Sequence, residues 1–351
     1  MNAPERPRLR LTEFSHGGGC GCKIAPSVLR DILAGSAAAT LPKALLVGIE
    51  TSDDAAVYAL NDTQAIVATT DFFMPIVDDP EDFGRIAATN ALSDVYAMGA
   101  TPLFALALVA MPVNALPIET IRSIIAGGAA ACSAAGIPIA GGHTIDSVEP
   151  IYGLVAIGVV DPRHLKRNAG ARPGDALVLG KPLGVGIYSA ALKKEQLDAA
   201  GYAALRATTT KLNTPGIAFG RDDGVHALTD VTGFGLLGHL LEVCRGSGVA
   251  AMIDFTRVPL LPATLDFARL GFVTGASGRN FAGYGDAIEF APHVDRIARD
   301  VLTDPQTSGG LLVACARERV DAVLATFRAE GFGDAAVVGE ITAGAPRVVV
   351  S

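Results

Sequence analysis

The chain has 351 residues, half of them hydrophobic and only 18% charged, which is too long for one ordinary core and points to about two domains. Its formal charge of −8 argues against nucleic acid as a partner, because that binding depends on clustered Lys and Arg. No apolar run approaches the ~18 residues of a membrane span, and five cysteines behind a start without an apolar signal segment are expected as reduced thiols in the cytoplasm.

In chain order, residues 1–25 read as a mobile Gly/Cys-rich loop, since prolines, mixed charges and then glycines give little to pack. Apolar runs at 44–49, 55–60 and 64–70 read as strands. Residues 79–100 read as a helix, with Phe83, Ile86, Ala87, Asn90, Ala91 and Val95 at three- and four-residue spacing. Residues 103–110 form a continuous apolar strand. An Ala-rich helix follows at 118–135, stopped by Gly136 and Pro138, with further strands at 137–140 and 151–160. This order predicts an α+β domain over 26–161, with helices packed on a mixed or antiparallel sheet. The polar, turn-rich stretch 162–174 reads as a linker. The second domain, 175–351, is expected to mix strands (176–179, 311–314, 347–350) with helices (235–246, 317–330).

The most unusual segment is HGGGCGCK at 16–23. Its glycines permit backbone conformations closed to other residues, so the loop could close over a ligand and reopen. Lys23 should favour the thiolate of Cys20 or Cys22, the form that acts as nucleophile and soft ligand. Alternatively its ammonium holds a phosphate as a point charge. The competing reading is a terminal loop with incidental cysteines. Zinc is disfavoured, because Cys132, Cys244 and Cys315 stand singly with no partner at ligand spacing.

A set of aspartates sits at strand ends and helix starts. Asp53 and Asp54 lie between two apolar strands, Asp71 ends a third, Asp94 is inside a helix, and Asp230 precedes a Gly-rich turn. Carboxylates beside buried apolar segments are usually paired or bound to cations. Hard oxygen ligands gathered from several elements suit Mg²⁺ that also holds phosphate oxygens. Each aspartate alone reads more simply as a cap or turn residue; only the set points to metal. In GGHTID at 141–146, placed after a strand, adjacent glycines let backbone N–H groups approach an anion and Thr144 offers a hydroxyl. His143 reads equally as a structural histidine or a ligand contact. No GxxxxGK[ST], protein-kinase set or GxSxG elbow occurs, so nucleotide use must come through another fold.

Taken in order, HGGGCGCK, SDDAAVY, ATTDFF, NALSDVYAMG, AGGHTID, LTDVTGFGLLGH and TDPQTSGGLL resemble the selenophosphate synthetases over roughly residues 13–315. The C-terminal blocks and aspartate positions are shared more widely with the aminoimidazole ribonucleotide synthetase superfamily. The Cys-Gly-Cys-Lys segment makes the narrower resemblance specific. That resemblance implies two α+β domains of the aminoimidazole ribonucleotide synthetase-like fold, a homodimer through the N-terminal domains, and ATP in a cleft between sheet and C-terminal domain. It implies that several Mg²⁺ ions hold the phosphates. Cys20 resembles the catalytic position, occupied in some relatives by selenocysteine, and Lys23 the phosphate-contacting lysine of the mobile loop. Asp54, Asp94 and Asp230 resemble the magnesium ligands. Thr51, Ser52, Asp53 and Asp71, with Gly142, His143 and Thr144, resemble nucleotide contacts, and Asp94 serves both groups. The implied reaction converts ATP, selenide and water to selenophosphate, AMP and orthophosphate. The alternatives are another ATP-dependent enzyme of the superfamily, or a non-catalytic thiol carrier of selenium or metal. A selenium-delivery protein is a further partner this reading allows.

Overall fold

Residues 56–73 alternate between buried and more exposed side chains, the period of two expected of a sheet with one face on a core. The computed structural model, described over residues 9–24, 28, 32, 42–48 and 53–351, builds that sheet from six strands. In chain order they are β1 (Leu45–Val47), β2 (Ala56–Asn61), β3 (Gln64–Phe73), β4 (Thr101–Met111), β5 (Ile139–Asp146) and β6 (Ile151–Val160). Their order across the sheet is β1-β2-β3-β6-β4-β5, antiparallel throughout except for the parallel β4–β5 edge.

Two helices cover its inner face: α1 (Pro80–Ala97) and α2 (Ile118–Ala134). Asp79 caps α1 by accepting from the Asp82 N–H at 2.9 Å, and Pro80 occupies the first turn, where its missing N–H costs nothing. The two helices meet backbone to backbone; a Cβ at Gly84 would overlap the Ile124 carbonyl, and one at Gly127 the Glu81 carbonyl. α1 is buried on nearly every side, between β3 and β6 below and β8 (Val225–Asp230) of the second half. Its Phe83, Ile86, Leu92 and Val95 are fully buried, a gross stabilisation of roughly 6–12 kcal/mol. This apolar burial lets the same helix carry Asn90, Ser93 and Asp94 into the interior.

The second half is a seven-stranded sheet in the order β10-β13-β9-β12-β7-β11-β8. Besides β8 it contains β7 (Ala176–Leu179), β9 (Ala250–Ile253), β10 (Ile288–Phe290), β11 (Leu311–Cys315), β12 (Ala336–Thr342) and β13 (Val348–Val350). Six of its eight helices are α3 (Val185–Lys193), α4 (Ala199–Thr209), α5 (Pro215–Gly220), α6 (Gly235–Ser247), α7 (Thr264–Arg269) and α8 (Gly275–Tyr284). The last two are α9 (Arg296–Leu302) and α10 (Val320–Ala329). Residues 161–174 are tied into both halves: Lys166 Nζ donates to the Asp222 and Val225 carbonyls, and Arg167 to that of Leu46. None of the helices among the described residues is long and apolar enough to cross a membrane.

The fold is of the expected α+β class, with one local difference that matters. GGHTID is no turn after a strand; it lies inside β5, because pairing with β4 from Ala105 to Met111 supplies ladder partners that local composition does not reveal. The predicted helix at 317–330 divides into a 3₁₀ turn (Arg317–Arg319) followed by α10.

Candidate active site

Three secondary-structure elements and one loop bring carboxylates together. Asp71 sits near the end of β3 on its helix-facing side, Asp94 on α1, Asp230 at the last residue of β8, and Asp54 just before β2. One oxygen from each of Asp54, Asp94 and Asp230 lies within 4.8 Å of the others. Hydroxyls orient all three: Thr69 Oγ1 donates to Asp94 at 2.6 Å, Thr229 Oγ1 to Asp54 at 3.0 Å, and Ser93 Oγ to Asp230. Asn213 in turn donates to Ser93 Oγ at 2.7 Å and to the Gly309 carbonyl at 2.9 Å. Asp54 Oδ2 is buried with no hydrogen-bond partner among the described residues.

Burial first, and then the neighbouring carboxylates, push the Asp54 and Asp94 carboxyls well above the ordinary range; burial likewise raises Asp230. Three like charges forced together with one orphaned oxygen form a site that a hard cation would relieve.

The glycine-rich loop docks directly beside this cluster. Gly19 takes a left-handed conformation (φ +55°), and a Cβ there would overlap the Thr307 hydroxyl, so only glycine fits. Its N–H donates to the Met74 carbonyl, and the Cys20 N–H donates to Thr307 Oγ1 at 3.0 Å. Cys20 is 1% exposed, its thiol donating to Asn90 Oδ1 at 3.2 Å. Asn90 Nδ2 donates to Asp71 Oδ2 at 2.7 Å, and Lys23 Nζ reaches the same oxygen at 3.0 Å. The chain Cys20–Asn90–Asp71–Lys23 therefore links thiol, amide, carboxylate and ammonium, with Asp94 close by.

The expectation that Lys23 would hold Cys20 as thiolate is not met in this arrangement. Burial, then Asp71, push the thiol's pKa far up and outweigh the lysine. Burial works against the Lys23 charge as well, but Asp71, with Cys20 and Asp94, holds its pKa well above the usual value. Cys22, half-buried, is pushed up to about 11 by burial. Cys132, Cys244 and Cys315 are free, buried and dispersed.

The other sequence-predicted residues fall differently. Asp53 Oδ1 accepts from the Asn168 N–H at 2.8 Å, joining the site's edge to the 161–174 stretch. Thr51 and Ser52 lie outside the described residues. Gly142, His143 and Thr144 are exposed on the edge strand β5, three strand spacings from β3, or roughly 14 Å. Within one chain they do not join the acidic cluster.

Sequence reasoning missed the supporting shell. Asn90 figured only as a helix-face residue, and Thr69, Ser93, Asn213 and Thr229 carried no signal. TDPQTSGGLL was noted as a block without a role; Ser308 there takes a strained φ of +51° and donates its N–H to Asn90 Oδ1 at 2.7 Å. Beneath it, buried Lys181 donates to the Ser308 and Lys211 carbonyls, both at 2.7 Å, and burial lowers its pKa to about 7. Polar residues inside an apolar helix face were the available clue.

Comparison with known proteins follows the same lines. Residues 52–160 match the family "AIR synthase related protein, N-terminal domain", and residues 172–351 match its C-terminal domain counterpart. The chain is 65% identical over 343 residues to a selenide, water dikinase of Dechloromonas aromatica (strain RCB), covering 98% of this chain and 99% of that one. It is 54% identical over 341 residues to one from Rhizobium meliloti (strain 1021), covering 97% and 98%. Thiamine-monophosphate kinase from Stenotrophomonas maltophilia K279a shares the fold at a TM-score of 0.63 and 22% identity, covering 94% and 96%. Identity of this extent over nearly the whole length establishes that the chain belongs to the selenide, water dikinase family of AIR synthase related proteins.

Proposed function

We propose that the chain phosphorylates selenide with ATP, releasing selenophosphate, AMP and orthophosphate. The observation that carries this reading is the junction between the Asp54–Asp94–Asp230 cluster and the thiol-lysine loop, made through Asp71. A thiol carrier of selenium or metal needs no phosphate-handling apparatus, such as a lysine beside three converging carboxylates.

Mg²⁺ fits the donor set, as hard carboxylate oxygens with an orphaned Asp54 Oδ2 would be satisfied by a hard cation. Asp54, Asp94 and Asp230 would hold it, and when bound it supplies charge neutralisation for a triphosphate. Thr69, Ser93 and Thr229 fix the carboxylate orientations. Lys23 is placed to leave Asp71 for a transferring phosphoryl group, stabilising charge that develops in the transition state. Docked, Cys20 is a neutral thiol; release of the loop removes the burial that keeps it so.

A homodimer completes the reading. The outer face of the six-stranded sheet presents Tyr58 and Phe72, 45% and 52% exposed, with half-buried Leu106, Val155 and Ile157. An apolar sheet face of this kind suits a second copy. The exposed Gly142–Thr144 stretch would then meet a nucleotide across the interface rather than within one chain. Five free cysteines agree with a reducing, cytoplasmic compartment.

Phosphorus NMR of the products from ATP, with selenide and separately with sulfide, tests the activity. Selenide-dependent AMP, orthophosphate and a new selenium-bonded phosphorus signal are expected. ADP as the end product, or turnover independent of selenide, would overturn the reading.

A further inference from the structure

Beside the glycine loop lies a cavity of about 330 Å³, bordered by Gly18, Gly21, Ile76, Thr307, Lys193 and Arg279 and by none of the clustered aspartates. Its inner wall is thin. Thr307 of the lining accepts the Cys20 N–H, and Cys20 is the chain neighbour of lining residue Gly21. Gly17, Gly18 and Gly21 leave the loop's part of the lining bare of side chains, and a Cβ at Gly18 would fall 2.5 Å from the Pro75 carbonyl.

The cavity is cationic in a chain of net charge −8. Lys193, at the end of α3, donates to the Ser15 carbonyl at 3.3 Å, and Arg279 of α8 donates to the Gly21 carbonyl at 3.0 Å. Neither has a carboxylate partner in an ion pair among the described residues. His16, also on the lining, is held 3.0 Å from Glu149, which stands outside it. The lining thus carries two cations and no carboxylate, whereas the cluster beside Cys20 and Lys23 is built of carboxylates.

We propose that this cavity is the entry site for selenide as the small monoanion HSe⁻. The inference rests on the selenide-phosphorylating reading and assigns separate approaches to the two substrates. The triphosphate with its cations reaches the aspartate side. The chalcogenide anion, which the aspartates would repel, gathers at Lys193 and Arg279 and reaches Cys20 when the glycine wall opens. A cationic concavity in an acidic surface raises the local concentration of an anion and its rate of arrival, an effect that salt suppresses.

The test is the rate of AMP formation against selenide concentration at saturating ATP, for the full chain and for Lys193→Gln, Arg279→Gln and the double substitution. The KM for selenide should rise about fivefold or more in the double variant at low ionic strength, within the range of electrostatic steering. The KM for ATP should stay unchanged, and Arg279→Lys should restore most of the loss. Added salt should raise the selenide KM of the parent chain and leave that of the double variant nearly flat. An unchanged selenide KM in the double variant overturns the proposal. So does an altered inhibition constant for orthophosphate with selenide KM unaffected, which would make the cavity a product exit. A parent chain that forms no AMP with selenide defeats the underlying activity instead, and is read before any variant.

Discussion

Replacing Gly19 with alanine separates docking of the thiol loop from the rest of the fold. Gly19 has φ +55°, a conformation that costs an L-residue about 1–2 kcal/mol. The new Cβ would overlap Thr307 Oγ1 and lie 3.0 Å from Ile76 Cδ1. Relieving the overlap turns the Thr307 hydroxyl away and breaks its bond from the Cys20 N–H, a further ~1 kcal/mol. The docked loop should therefore lose about 2–3 kcal/mol, and the undocked fraction should rise roughly 30- to 140-fold. Because Cys20 is 1% exposed when docked, its alkylation by iodoacetamide at fixed pH should accelerate by about that factor. Peptide mass spectrometry reads it out, with half-buried Cys22 as internal comparison. Global melting should move far less than the alkylation rate, since the loosened contacts are those of the loop with Thr307, Asn90 and Asp71, while both sheets keep their own pairing. Equal Cys20 alkylation rates in Gly19→Ala and the parent chain would refute the docked geometry.

Further outcomes are expected elsewhere in the site. Lys23→Ala should reduce AMP formation at least ~100-fold while the circular dichroism spectrum is kept, and near-normal turnover would remove its phosphate role. The raised carboxyl pKa values of Asp54, Asp94 and Asp230 mean the folded state binds more protons than the unfolded one, so stability falls as pH rises above the ordinary value near 3.8. In EDTA the melting temperature should decline from mildly acidic toward neutral pH, and Asp54→Asn should flatten that decline. The same variant should lose most of the Mg²⁺-dependent rise in melting temperature, and an undiminished rise would exclude Asp54 as a ligand. The proposed pairing of two copies through the outer sheet face predicts a dimer in sedimentation that Phe72→Asp, at an exposed position of that face, converts to monomer; a parent chain that sediments as a monomer would refute that pairing.

The long, strongly patterned elements were legible in the sequence. The helix read at 79–100 spans Pro80–Ala97, and the strand read at 151–160 is β6 to the residue, because hydrophobic period and breakers such as Gly136 act locally. The acidic set was legible for a related reason: charge beside apolar runs is costly, so its presence already demanded an explanation. Less visible were the shell residues. Asn90 is one more polar residue in a helix until β3, the glycine loop and Ser308 arrive around it with Asp71, Cys20 and a backbone N–H.

By itself the chain determined the α+β class, the ordering of its main elements and the residue types able to handle phosphate, metal and thiol chemistry, since these depend on neighbours close in sequence. Tertiary structure alone decided the charge state and company of each group. Cys20 meets Asn90 across 70 positions, and Ser93 meets Asp230 across 137. It also moved Gly142–Thr144 to an outer sheet edge, away from the residues with which their chemistry groups them. Burial and through-space charge act over distances that only folding sets, and so no local pattern could have foretold the Lys23 ammonium 3.0 Å from Asp71.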